Sequence, residues 1–142
     1  MNRVEQLLTL DVEQLKQKKK AIFFSKRLGE LLGMDKPFEV EIQELSQRRV
    51  TKFMGEMQNS KGNIDIEKTV KAKTHIVAEG VSDPQMNDPA LKDKFGDLIP
   101  TDMSSLLFGP EITKIANAIL AISGVDMDDE DDDKGYEEIK NS

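Results

Sequence analysis

The chain has 142 residues, a net charge of −7 and no cysteine, so it suits one compact domain and excludes disulfides, thiolate nucleophiles and thiolate metal sites. Residues 125–142 hold nine acids and two lysines and carry the whole imbalance, while residues 1–124 are neutral. A neutral body is not typical of a nucleic-acid-binding domain, which needs a positive field to meet phosphates.

The first fifteen residues place apolar side chains at helical spacing: Val4, Leu7, Leu8, Val12 and Leu15. They form either one helix or two, with Asp11 available to cap the second. Charged residues interrupt this stretch, so it lacks the apolar core of a signal peptide. No other run is judged long and apolar enough to span a bilayer, and we expect a cytoplasmic protein without a membrane partner.

The next segments predict a small β ribbon. Residues 21–24 are rich in Ile and Phe and suit a strand, whereas residues 28–33 suit a turn bounded by glycines. Phe38, Val40 and Ile42 then alternate with polar residues, which is the pattern of a strand with one buried face. Pairing of the two segments would give a two-stranded ribbon that depends on packing against helices.

Caps and apolar spacing predict the central helices. Ser46 caps a helix with Val50, Phe53, Met54 and Met57 on one face, and Asp65 caps a helix with Ile66, Val70 and Val77 on one stripe, ending at Gly80. Residues 81–86 suit a loop. Two shorter helices follow: one from Asp88-Pro89 to Phe95-Gly96, and one from Thr101 or Asp102 to Phe108-Gly109.

The last helix is the most apolar. It is bounded by Pro110-Glu111 and Ser123-Gly124, and its apolar arc is wider than that of an ordinary surface helix: Ile112, Ile115, Ala116, Ile119, Leu120 and Ile122. Such a helix must be enclosed, either by its own domain as ordinary core or by another chain through a groove or self-association.

Six consecutive acids at 128–133 have no apolar group to offset the entropy of ordering, so residues 125–142 are predicted to be disordered. The predicted fold is mainly α: a single small helical domain over 1–124 with a short two-stranded β ribbon near the N-terminus, followed by the disordered acidic tail.

The residues favour no catalytic, cofactor or metal site. His75 is the only histidine and is expected to be a solvated surface residue. The acids at 126, 128 and 130 do not fit the calcium loop of an EF-hand, and the basic trio Arg48, Arg49 and Lys52 suits a solvated helix face. We therefore expect a binding protein and not an enzyme.

The order of five blocks resembles the XkdN-like phage and prophage tail assembly chaperones. The blocks are LLTLDVEQL, the RLG turn after a strand, KPFEVEIQEL, DPALKDKFG and LLFGPEITKIANAILAISG, and they run from Leu7 to Gly124. One departure is that Gly109 precedes Pro110, where a Pro-Gly-Glu order is expected.

The resemblance implies a non-catalytic protein that holds the tape measure protein soluble while tail tube subunits polymerise around it. It would act in the cytoplasm of the bacterial host and be absent from the finished virion. Exposed apolar helix faces suit such a client, and we expect the partner-binding surface to consist of Phe53, Met57, Ile112, Ile115 and Ile119.

Two further expectations concern the end of the chain. Family members are often made with a programmed frameshift, and the codons for residues 139–141 would allow a slippery site that gives a longer form of the protein as a partner. Alternatively, the chain is a small regulatory inhibitor whose acidic tail mimics nucleic acid. Deletion of 125–142 would abolish the inhibitor's function but leave client binding by a chaperone.

Overall fold

The two predicted strand segments form the centre of a sheet in a computed structural model, which describes residues 2–127 and 135–139. Strand β1 (Lys20–Ser25) pairs antiparallel with β2 (Phe38–Gln43). Phe23 lies opposite Val40 and Ala21 opposite Ile42, and all four side chains are buried. Their neighbours along each strand are more exposed because successive side chains point to opposite faces. The predicted pairing of these segments is confirmed.

The sheet has two more strands, β3 (Val81–Asp83) and β4 (Tyr136–Glu138), in the order β3-β2-β1-β4 with every pair antiparallel. The prediction of a mainly α domain with a two-stranded ribbon is therefore wrong, and the fold is α+β. The loop predicted at 81–86 is also wrong for its first three residues. Both strands are three residues long, too short for a period-two pattern to appear in the sequence.

The helices that the described residues form account for most of the remaining chain. They are α1 (Arg3–Leu7), α2 (Val12–Lys16), α3 (Lys26–Leu31), α4 (Gln47–Glu56), α5 (Ile66–Gly80), α6 (Pro89–Phe95), α7 (Pro100–Phe108), the 3-10 turn η1 (Gly109–Glu111) and α8 (Ile112–Ile122). Residues 28–31 of the segment predicted as a turn belong instead to α3, which the Ser25 side chain caps, and residues 32–33 form a turn. The caps predicted at Ser46, Asp65 and Asp88 are confirmed.

Helix α8 is the centre of the core, and it contacts β1, β2, α5 and α7. Its predicted apolar arc is buried throughout. Gly80 at the end of α5 allows α5 and α8 to approach each other closely, since a Cβ at that position would lie 2.5 Å from the Ile119 Cδ1 atom. The expectation that this helix must be enclosed is confirmed, and its own domain encloses it.

Helix α5 buries only the last residue of the predicted stripe, Val77. Ile66 and Val70 are 81% and 55% exposed, whereas Ala72, Ile76 and Val77 are buried. Only the second half of the helix packs in the core, so the apolar side chains of its first half stay in solvent. Apolar spacing identified the helix, but it did not identify which part of the helix meets the core.

The predicted tail is in part a component of the domain. Val125 and Met127 are half-buried against the core, and β4 pairs with β1 through Tyr136–Glu138. The prediction of disorder is therefore wrong for the described residues 125–127 and 135–139. Residues 128–134 and 140–142, on which the rest of that prediction falls, lie outside the described residues.

The helices α7, η1 and α8 form one continuous run, Pro100–Ile122, that is long and apolar enough to cross a membrane by length and composition alone. The expectation that no run meets this criterion is wrong. In the fold this run contains the core helix α8, whose buried side chains contact the sheet and α5. Buried core helices commonly pass the same test.

Candidate partner-binding surface

The five residues predicted to bind a partner are brought together, but in the interior. Ile115 and Ile119 are fully buried, Phe53 is 1% exposed, and Met57 and Ile112 are each 8% exposed. They belong to one hydrophobic core that includes α4 and α8. None of them offers a surface in this conformation, so their use by a partner stays a prediction that requires the core to open.

A different apolar surface lies at the N-terminus, in a segment that we call the arm (residues 2–16). Its two helices are specified locally. The Asn2 side chain accepts a hydrogen bond from the Glu5 backbone N–H at 2.8 Å and so caps α1. Asp11 caps α2 through a capping box, in which the Asp11 N–H donates to the Gln14 side chain at 2.8 Å. The break into two helices with Asp11 as a cap is the second of the two readings left open by the sequence.

The arm exposes every apolar side chain that it contains and buries none. Exposure ranges from 42% for Leu10 to 78% for Leu8, and the six residues are Val4, Leu7, Leu8, Leu10, Val12 and Leu15. Val4, Leu7 and Leu8 share one face of α1 by their spacing. Helices of five residues are not stable by themselves in water, so packing against another surface would supply the stability that the arm lacks.

The arm leaves the body at a defined point. Lys19 and Glu44 exchange two hydrogen bonds: the Glu44 N–H donates to the Lys19 carbonyl at 2.8 Å, and the Lys19 N–H donates to the Glu44 carboxylate at 2.9 Å. The Lys19 ammonium also lies 3.4 Å from Glu138 at the end of β4. The root of the arm is thus held between β2 and β4, while residues 2–16 extend from it.

Other exposed apolar residues occur on the body, mostly in elements that also contribute to the core. Examples are Leu31 in α3, Ile66 and Val70 in α5, and Leu106 in α7. Because each of these elements also has buried residues, its position is set by the body. The arm differs in that neither of its helices packs a residue against the core, whereas α6, which also has no fully buried residue, packs Leu91 there.

Arg49 of the basic trio and the histidine lie where α4 meets α5, whereas Arg48 and Lys52 are exposed. The Arg49 Nε donates to Glu79 at 3.0 Å, and this hydrogen bond raises the pKa of Arg49. The guanidinium lies 4.9 Å from the centre of the Phe53 ring, and the His75 ring stacks on the same phenylalanine at 6.2 Å. His75 is half-buried instead of fully solvated. Arg49 therefore joins two helices.

Beside His75 is an open cavity of about 420 Å³ that is also lined by Glu56, Lys68 and Lys71. Within 2–127 and 135–139, no group of three histidine, aspartate or glutamate side chains is arranged to hold a metal ion. The cavity mixes positive and negative groups and is widely open to solvent. These features do not favour a buried ligand site.

The sequence model of the phage XkdN-like tail assembly chaperones matches residues 4–140. The chain belongs to this family. No curated protein matches it. A solved structure, titled as that of the protein yqbn, shares 15% identity and a TM-score of 0.46 over 63% of this chain and 72% of the other.

The family match covers nearly the whole tail assembly chaperone chain, including the arm from residue 4 and strand β4. The resemblance seen in the sequence ended at Gly124, before the acidic run. The match continues through that run to residue 140, which agrees with the pairing of β4 in the sheet.

The arm was missed as a candidate site because its apolar residues were interpreted only as helix spacing. One signal was present in the sequence. Asp11 and Gln14 form a capping box that divides the segment, and each resulting helix is too short to bury a face by itself.

Proposed function

We propose that this chaperone binds the tape measure protein and keeps it soluble while tail tube subunits polymerise around it. The observation that carries the proposal is the arm, whose six apolar side chains are all exposed on two capped helices. A long helical client presents apolar stripes that need cover before assembly, and short amphipathic helices are suited to pack along such stripes.

The proposal includes a place and a time of action. The chaperone acts in the cytoplasm of the bacterial host before the tail is complete, and it is absent from the finished virion. It acts by binding, without catalysis. A longer frameshifted form would continue from the end of β4, where the Ile139 N–H donates to the Lys20 carbonyl at 2.9 Å. Reading the codons for residues 139–141 tests that form.

The test is co-expression of the tape measure protein with the wild-type chaperone and with a double variant of the arm, Leu8→Asp with Leu15→Asp. The variant places one charge at the end of α1 and one in α2, among the exposed apolar side chains of the arm. We expect the amount of soluble client to fall about tenfold, which corresponds to about 1.4 kcal/mol of lost binding free energy. Soluble client is measured by pull-down and immunoblot.

The matched control is Leu31→Asp with Ile64→Asp on the body. Leu31 is 68% exposed against 70% for Leu15, and Ile64 is 76% exposed against 78% for Leu8. The control should retain wild-type amounts of soluble client. If both double variants behave alike while remaining folded by circular dichroism, the arm is not the client-binding surface.

The inhibitor alternative needs a sharper experiment than deletion of residues 125–142. That deletion also removes Val125, Met127 and β4, which pack on or pair with the body. Replacement of the acids at 128–133 by asparagine or glutamine removes charge alone. Client binding should survive this replacement if the arm binds the client, whereas a nucleic-acid mimic would lose its function.

A further inference from the structure

Strand β4 is a short strand at one edge of the sheet, next to β1. It pairs with β1 over three residues, whereas β2 pairs with β1 over six. Glu137 and Glu138 are exposed, and only Tyr136 is half-buried against the core. Because exposed backbone hydrogen bonds open at lower free energy than buried core, β4 is expected to detach from β1 before β1 and β2 separate.

Detachment of β4 would leave β1 in place with a free edge. Strand β1 is held on its other side by β2, and Ala21 and Phe23 fix it to the core. Its backbone groups toward β4 include the Phe24 N–H, which donates to the Gly135 carbonyl at 2.9 Å, and the Lys20 carbonyl, which accepts from Ile139. An ordered strand with such unpaired groups is a template for another strand.

The edge of β1 fits the particular sequence of β4. Gly135 adopts φ +70°, and a Cβ there would lie 3.3 Å from the Phe23 ring, so glycine permits both the turn and the close approach. At the other end of the strand, Glu138 lies 3.4 Å from the Lys19 ammonium. A second copy of this chain carries the same residues and would remake the same contacts.

We propose that β4 exchanges between two copies of the chain, so that each copy completes the sheet of the other. Eight Cα steps join Met127, which packs on the core, to Gly135 at the start of β4. A chain of eight Cα steps spans at most about 26–29 Å, which sets how near an adjacent copy must lie for β4 to reach its edge. Since both forms use the same strand contacts, protein concentration sets the balance between them.

The test uses the fact that the chain has no cysteine. Ile22 lies opposite Glu137, between the hydrogen-bonded pairs formed by Phe24 and Lys20. Because hydrogen-bonded pairs recur at every second position, Ile22 and Glu137 also occupy a hydrogen-bonded position. The Cα atoms of such pairs are about 5.5 Å apart, which suits a disulfide. An Ile22→Cys chain carrying an affinity tag is mixed with an untagged Glu137→Cys chain and oxidised.

The two chains are mixed at about 1 mM. The β4 strand of each chain competes for the β1 edge of that same chain, and its effective concentration there is in the millimolar range. We expect the disulfide that joins the two different chains to form about tenfold more than in the control mixture of Ile22→Cys with Lys61→Cys, and to decline on dilution. Lys61 lies in an exposed turn between α4 and α5. Equal yields in the two mixtures would show that β4 stays on its own chain.

A double variant, Ile22→Cys with Glu137→Cys in one chain, checks folding and register. At about 1 µM it should form a disulfide within the chain, because the tethered strand then greatly exceeds any other copy in local concentration. Failure to form this bond would mean that β4 does not pair with β1 as described, and it would also overturn the proposal.

Discussion

Helix α8 and the arm both place apolar residues at helical spacing, yet the fold uses them in opposite ways. Seven α8 residues are buried, including Ile115 and Ile119 at no measurable exposure, whereas both arm helices bury nothing. Periodicity therefore predicts that a helix forms and which face is apolar. It does not predict whether that face is covered by the same chain or left for another.

The difference matters for any experiment on client binding. A substitution in α8 changes the folded body, so loss of client would not locate the binding surface. A substitution in the arm changes exposed side chains and leaves the core intact. The two regions should thus be separable by measuring stability and client binding on the same variants.

The largest expected effect comes from Ile115→Asp in α8. Ile115 is fully buried, and an unpaired charge there would cost more than about 4 kcal/mol, a large share of the about 5–15 kcal/mol by which domains are stable. Urea denaturation followed by circular dichroism measures this loss. A folded Ile115→Asp protein with an unchanged midpoint would contradict the burial of α8.

An intermediate effect is expected where α5 meets α8. In Gly80→Ala the new methyl group would lie 2.5 Å from Ile119 Cδ1 and 2.8 Å from its Cγ2. Ile119 is buried and β-branched, so it has little room to turn away, and we expect a loss of about 1–3 kcal/mol in urea denaturation.

Gly55→Ala in α4 is the matched control for that prediction. No atom lies within 4 Å of a Cβ at Gly55, so alanine should be neutral or stabilise the helix by about 0.5–1 kcal/mol. Equal destabilisation by the two variants would show that the α5–α8 contact is looser than described.

The smallest effect is expected in the arm. Leu15 is 70% exposed in a helix that buries nothing, so Leu15→Asp should change the free energy of unfolding by less than about 0.5 kcal/mol. The same urea experiment measures it. A loss above about 1 kcal/mol would show that the arm packs on the body and would remove the contrast with α8.

Much of the local structure was predictable from the sequence. The helix starts at Ser46, Asp65 and Asp88 follow from side chains that bond to backbone groups two or three residues away. The β1 and β2 segments were recognised from composition and alternation. The family was also predictable, because the five motif blocks and their order are properties of the sequence alone.

The candidate site was not predictable in the same way. Residues in α8 were preferred as the partner surface because the apolar arc of this helix looked too wide for a small domain to cover, and two residues of α4 were added to them. The sheet is larger than expected, and the sheet and the other helices together cover the apolar faces of α4 and α8. The arm became a candidate only when the structure placed nothing against it.

The sequence by itself determined the caps, the helix periodicity, the β1–β2 pattern and the family, because each depends on residues close together in the chain or on their order. Only the tertiary structure decided that β4 joins the sheet and that the arm stays uncovered. It also paired Ser25 with Glu111, 86 residues apart, through a hydrogen bond of 2.5 Å. Such contacts depend on how distant segments pack. A strand of three residues such as β4, or a single serine such as Ser25, has too little local sequence pattern to predict its partner.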